Sequence, residues 1–147
     1  MAPVNTIKGT QLRIMIESDD TPGTFRHPCL INTTRGIQWT STGNDEEIPD
    51  CDDPDALAWT KHTKTGASGT ISGAGKLNVD DIEAFWDWFD GDIAKNVKID
   101  VGDTGRWDGQ WKLTDFQITG DRGSVAEATV TIKSHGVQVY TPGASPL

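Results

Sequence analysis

The sequence reads as a mainly β fold, a β-sandwich or partial barrel carrying one α-helix, for three reasons. Hydrophobic residues make up only 35% of the chain, while Gly numbers 16 and Trp 6, a balance that suits a turn-rich, aromatic-anchored β protein better than a helical bundle. Apolar residues alternate with polar ones near both ends, at Leu12, Ile14 and Ile16 and again at Ala126, Ala128, Val130 and Ile132, the period of strands with one buried face. A single stretch carries the helical period: Ile82, Phe85, Trp86 and Phe89 fall at i, i+3, i+4 and i+7, one apolar stripe that must lie on a sheet.

Taken in order, residues 1–10 form an N-terminal arm without period. A strand at 12–17 ends in the turn signal SDDTPG. Residues 25–40 are β-branched and aromatic enough for one bent strand or two short ones, with Pro28 favouring an edge or bulge. From 41 to 66 no period stands out, so this stretch is expected to be a long functional loop, acidic and solvated in its first half, with Trp59 as a docking point in its second. Residues 69–77 read as a small-residue strand in which Gly73 and Gly75 announce close approach by another backbone. The helix is expected over about 79–90, capped by Asn78, with Asp80, Asp81 and Glu83 in its first turn and Gly91 at its end. Trp86 lies on its apolar stripe and Trp88 off it, which predicts Trp86 in the core and Trp88 as an exposed anchor. Strands follow at 96–101, 110–119 and 125–133. A bulge near Asp115 reconciles the opposite phases of Trp111 and Leu113 with Phe116 and Ile118. The outward face of the last strand, with Val125, Glu127, Thr129, Thr131 and Lys133, is bland enough to meet a partner or line a polar lumen. Residues 141–147 (TPGASPL) form a C-terminal tail of breaker residues.

The 147 residues make one domain, 1–147, long enough to bury roughly two-thirds of the surface of the unfolded chain. A net charge of −9 argues against unaided nucleic-acid binding. Most of that charge sits in residues 44–55 (NDEEIPDCDDPD), where Asp45, Glu46, Glu47, Asp50, Asp52, Asp53 and Asp55 stand without a basic residue. Cys29 and Cys51 are too few for a disulfide scaffold and are expected as free thiols in a protein made in a cytoplasm; the opening MAPVNTIKG has no apolar core of the kind a secretory signal needs. No apolar run approaches the ~20 residues that span a bilayer, so no membrane role is expected.

The search for chemistry is mostly negative. Nucleophile-elbow, phosphate-loop and dinucleotide motifs are absent, since Asn78 stands where the third glycine after Gly73 and Gly75 would be needed. His27, His62 and His135 are isolated and read as satisfied or solvent-facing rather than as catalytic bases. Asp50, Asp52, Asp53 and Asp55 are hard oxygen ligands, but Pro54, the missing glycine and Lys61 break the EF-hand pattern, and a solvated, self-repelling loop explains them better than calcium. The two cysteines lack the spacing of a zinc site. No enzyme, cofactor or metal is expected. Trp107 and Trp111 flank a turn, where packing over the sheet competes with a platform for sugar or for a partner subunit.

The order of features is more specific than any one of them. A strand pair, a long acidic loop, Trp59, SGTISGAGKL, the helix VDDIEAFWDWF, then WDGQWKLTDFQITG and VAEATVTIKSHGVQVY together resemble the major tail tube protein of long flexible-tailed bacteriophages and gene transfer agents. Ser134, Gly136 and Val137 match that family's closing Ser-x-Gly-Val step, and the resemblance covers about residues 39–140. It implies a virion structural protein in hexameric rings stacked into a tube, assembled in the host cytoplasm, with a β-barrel lumen through which the genome is delivered. The implied partners are further copies of the chain, tail-tip initiator and terminator proteins, and tape measure protein or DNA passing without specific binding. In such a family the long loop, here 41–66, reaches an adjacent ring. Its acids are therefore expected to meet basic residues there, with Arg13, Lys61, Lys64, Arg106 and Arg122 as candidates. Six times −9 is about −54 per ring, which would repel a duplex unless the charge is kept from the lumen. The alternatives are a monomeric β-sandwich module binding carbohydrate or protein, and another tail ring component such as a terminator or distal tail protein.

Overall fold

The computed structural model describes residues 3–4, 6–17, 23–28 and 30–143. Apart from Gly23, the expected turn at 18–23 lies outside these residues, as do Cys29, part of the N-terminal arm and the last four residues of the C-terminal tail. Seven antiparallel strands form one sheet: β1 Leu12–Glu17, β2 Phe25–Arg26, β3 Thr34–Ile48, β4 Trp59–Lys76, β5 Lys95–Val101, β6 Gly105–Thr119 and β7 Glu127–Pro142, in the order β2-β1-β5-β6-β7-β4-β3. The sheet folds over on itself, as the Arg35 guanidinium on β3 donates to the Leu12 carbonyl on β1. Both halves thus face one core, built from Ile14 and Ile16, Val97 and Ile99, Trp111 and Leu113, Ala128, Val130 and Ile132, Ile71, and Leu30 and Ile31 from the β2–β3 connection. The mainly β, one-helix architecture agrees with the sequence.

Four strands are longer than their apolar alternation suggests. Strand β6 begins at Gly105 and takes in Trp107, and β7 runs on to Pro142 through part of the expected tail. Residues 41–66, expected as loop, are mostly strand: β3 reaches Ile48, β4 starts at Trp59, and only the tip between them is irregular. Apart from Ala58, every residue from 40 to 68 is exposed. With neither face buried, this hairpin needs no hydrophobic period, and cross-strand pairing alone defines it. The region 25–40 resolves into the short β2 and the start of β3, separated by a segment in which His27 bridges backbone groups of Ile14 and Ile31. The bulge near Asp115 is present as a register shift between Leu113 and Asp115.

A 3-10 turn, Val79–Asp81, leads into the helix α1, Ile82–Asp90; the Asn78 side chain accepts from the Asp80 amide and Gly91 closes the end. The helix is rotated from the expectation: Phe85 is buried and Ile82 half-buried as expected, but Trp88 turns inward in place of Trp86 and Phe89. Asp81, Phe85 and Trp88 face inward at i, i+4, i+7; Trp88 is 3% exposed and Trp86 52%. Two anchors set this rotation. The buried Asp81 carboxylate accepts from the Leu30 amide, Arg26 and Asn78, while Phe85 packs on Phe116 of β6 and Trp88 donates its indole N–H to the Ile93 carbonyl. Aromatic residues on both faces of a short helix left the hydrophobic period ambiguous, and a buried, hydrogen-bonded carboxylate decided it. Trp86 and Phe89 stack on each other at the surface.

Candidate assembly surface: the arm, the fork and the hydroxyl face

Past Thr42 and Gly66 the β3–β4 hairpin slips by one residue and continues as an arm with the register Gly43 to Lys64, Asp45 to His62, Glu46 to Lys61 and Ile48 to Trp59. About nine residues per strand at ~3.4 Å carry its tip roughly 30 Å out. Seven carboxylates and two lysines lie between residues 40 and 68, so the arm holds −5 of the chain's −9. Lys61 and Lys64, candidates for receiving the acids, stand on the arm itself, Lys61 directly opposite Glu46. Asp45 is hydrogen-bonded to His62. Asp50 caps the Asp52 amide at the tip, while Cys51 is exposed and free. The tip is also apolar: Ile48, Leu57 and Trp59 are exposed, Trp59 to 82%. Among the described residues, no group of three or more His, Cys, Asp or Glu side chains is placed to hold a metal ion.

The arm leaves the body at a fork. Strands β4 and β7 pair from Lys76–Glu127 to Thr70–Lys133; then the Gly69 amide donates to Ser134 Oγ (2.8 Å) and the strands part. Strand β4 continues with β3 into the arm, and β7 stays on β6, with a register shift opposite Asp108 and Gln110. Gly136, at φ +84°, takes the left-handed conformation that this shift uses. The Ser134, Gly136 and Val137 step is therefore the point where the sheet divides. Between the prongs lies a cleft lined by Trp39, Trp107, Tyr140 and Val137, with Trp39 5.5 Å from Trp107 and Trp107 5.1 Å from Tyr140, ring centre to ring centre. A Cβ on Gly69 would stand 2.7 Å from the rings of both Trp39 and Trp111, so glycine is what lets them close over the strand. Trp111 is fully buried beneath, which removes it as a sugar platform. Gly73 likewise admits Ile31: a Cβ there would come within 2.8 Å of that side chain. The close approach read from the glycine pair thus comes from the β2–β3 connection.

The remaining basic candidates differ in what they can do. Arg106 forms a two-pronged pair with Asp100 on β5. With Asp100 1% and Arg106 11% exposed, the hydrogen bond to Asp100, aided by the Asp108 charge, raises the guanidinium pKa above its ordinary value. Arg106 is an internal structural group. Arg13 is half-buried on β1, opposite the same Asp100. Arg122 is exposed in the β6–β7 turn. That turn adjoins the Lys76–Glu127 end of β4, opposite the arm tip.

Strands β6, β7, β4 and β3 turn one face to the core and the other to solvent. Their outward rows run Gly36, Ser72, Thr131, Asp115; Thr34, Ala74, Thr129, Gln117; and Gln38, Thr70, Lys133, Lys112. Hydroxyl, amide and small side chains dominate, in a chain with 22 acidic and 13 basic residues. The outer edge of β3 pairs with no strand among the described residues.

No curated protein matches the chain by sequence. Among solved structures, the chain is similar to one described as the tail of an empty gene transfer agent particle computed with helical refinement and C6 symmetry (TM-score 0.76, 20% identity, 92% of this chain and 99% of that one). It also resembles a chain in the virion of a native gene transfer agent particle (0.75, 18% identity, 92% and 99%) and the SPP1 tail tube (0.61, 13% identity, 95% and 81%). At these identities the likeness establishes the fold. Residues 6–140 match the family described as "Phage tail tube protein", a span that includes the arm, the fork and the hydroxyl face. The chain therefore belongs to the phage tail tube protein family and is a structural component of the virion tail.

Proposed function

We propose that the chain assembles into hexameric rings that stack into a tail tube, a passive, non-catalytic conduit for the genome, put together in the host cytoplasm. The arm carries this reading. An isolated two-stranded hairpin is marginal in water, and this one reaches roughly 30 Å from its core and ends in exposed Ile48, Leu57 and Trp59. Nothing among the described residues covers it, whereas a second copy can. The free edge of β3 supports the same reading, since an unpaired edge is blunted by pairing with a neighbouring subunit. Identical heterologous contacts close into rings when the rotation fits, and contacts between rings extend them into a filament. Tail-tip and terminator proteins would bound such a tube, and tape measure protein or DNA would pass through it.

The arm tip and the β6–β7 turn lie at opposite ends of β4, so stacked rings would bring the acids Asp50, Asp52 and Asp53 of one ring toward Arg122 of the next. The contact would be head to tail; Arg106, held by Asp100, and Arg13, half-buried on β1, would have no part in it. Negative-stain electron microscopy over a concentration series tests this reading. Hollow tubes or six-fold rings are expected from the wild-type chain. Reversing Asp50, Asp52 and Asp53 to Lys is expected to stop growth, and adding Arg122→Glu to restore part of it. Normal tubes from the triple reversal would remove the arm's charge from the contact. A wild-type chain that stays monomeric even when seeded with tail tips would overturn the tube reading.

A further inference from the structure

We infer that the cleft at the fork binds a neutral pyranose sugar, a function beyond assembly of the tube. The cleft encloses about 670 Å³, within the ~300–1,000 Å³ typical of small-molecule sites. Trp39, Trp107 and Tyr140 run along it in series, with Trp39 40% and Tyr140 46% exposed. Trp111 backs the series from below, its ring centre 5.9 Å from that of Trp39, so the platform is fixed before any ligand arrives. The electron-rich face of such rings attracts the polarised C–H side of a sugar ring.

Beside the rings stand polar groups with hydrogen-bonding capacity to spare. Ser134 Oγ accepts from the Gly69 amide, which leaves its own O–H to donate. Gln138 Nε2 gives one hydrogen to the Gln110 carbonyl at 3.1 Å and keeps a second. That amide is seated over Gly109, where a Cβ would collide with it. Ser68 adds an exposed hydroxyl. Charge decides the class of ligand. None of the residues lining the cleft is charged, in a chain with 22 acidic and 13 basic residues. A phosphate, carboxylate or ammonium would find no counter-charge there. The same argument turns away the arm tip of a second copy, whose Ile48, Leu57 and Trp59 lie among Glu47, Asp50 and Asp55. Uncharged hydroxyls on an apolar ring are what this wall can pair. In a tube the site would recur in every subunit, and weak single contacts would combine into retention on a polysaccharide.

Saturation-transfer NMR on dissociated subunits, kept below the concentration at which tubes form, tests this with methyl β-glucopyranoside, methyl β-galactopyranoside and methyl β-N-acetylglucosaminide. At least one should bind with a dissociation constant of about 1 mM, the scale reached by a ligand of roughly a dozen non-hydrogen atoms at modest efficiency. Val137 is 83% exposed, so Val137→Glu puts a carboxylate into the cleft without removing packing and should weaken binding about tenfold or more. Tyr140→Ala should do the same. Trp86→Ala, which breaks the exposed aromatic pair on the helix, should leave binding unchanged. No binding of any of these glycosides at tens of millimolar would overturn the inference and leave the tube reading untouched. Binding that survives Val137→Glu and Tyr140→Ala, or that Trp86→Ala removes, would place the sugar elsewhere and also overturn it. Binding lost when tubes form would give the cleft to a neighbouring copy, with the same result.

Discussion

Truncating Arg106 to Ala removes the partner that, among the described residues, grips Asp100 at both carboxylate oxygens. Asp100 is 1% exposed, so water cannot replace the lost guanidinium, and an abandoned buried charge of this kind costs about 3–5 kcal/mol. Arg13 stands directly opposite Asp100 on β1 and can recover some of the loss, which places the expected value near the lower bound, about 3 kcal/mol. Urea unfolding, monitored by tryptophan fluorescence below the concentration at which tubes form, is the assay. With a slope of ~1–3 kcal/mol per molar urea, the midpoint should fall by at least ~1 M. Arg122→Ala is the matched control. Its exposed side chain should change stability by no more than about 0.5 kcal/mol, while tube growth slows. A wild-type midpoint for Arg106→Ala, or an equal loss for Arg122→Ala, would refute the division of these arginines into an internal structural group and a surface contact.

Three further outcomes follow from the same geometry. Trp88→Ala should lose about 3–5 kcal/mol as a buried aromatic truncation, whereas Trp86→Ala should stay within about 0.5 kcal/mol; thermal unfolding of the pair reports which face the helix buries. Gly69→Ala should destabilise by about 1–3 kcal/mol, because a methyl group there drives apart Trp39 and Trp111, and the shift should be visible in near-ultraviolet circular dichroism. Ile48→Ser with Trp59→Ser should leave the unfolding midpoint of the monomer unchanged and abolish tubes in electron micrographs, since the arm tip touches nothing in its own core; a large drop in monomer stability would contradict that picture.

The local patterns of the sequence were sufficient for much of the body. Alternation at Leu12, Ile14 and Ile16 and at Ala128, Val130 and Ile132 marked strands that bury all of these but the half-buried Leu12, because a half-buried strand writes its faces into a period of two. The phase change between Leu113 and Phe116 required a bulge, and one is there. Ser134, Gly136 and Val137 were legible as a family step, and the structure gives that step its physical meaning, a hydroxyl that holds the Gly69 amide and a left-handed glycine where the sheet divides. The acidic run from Asp45 to Asp55 was likewise visible as a segment with its own charge.

Other features needed the folded chain. The arm could not be read as strands, because a hairpin exposed on both faces leaves no hydrophobic period and its pairing is a matter of backbone hydrogen bonds. The rotation of the helix depended on Asp81 meeting the Leu30 amide, 51 residues away in sequence. Whether an arginine is spent internally or left free depended on a partner six residues distant for Arg106 and on the open β6–β7 turn for Arg122. The composition of the hydroxyl face was present in the sequence from the start, scattered over four strands. Only the register of β3 on β4, β4 on β7 and β7 on β6 brings Gln38, Thr70, Ser72, Thr129, Thr131 and Gln117 onto one surface, since a shift of one residue in any pairing would turn that strand's other side outward.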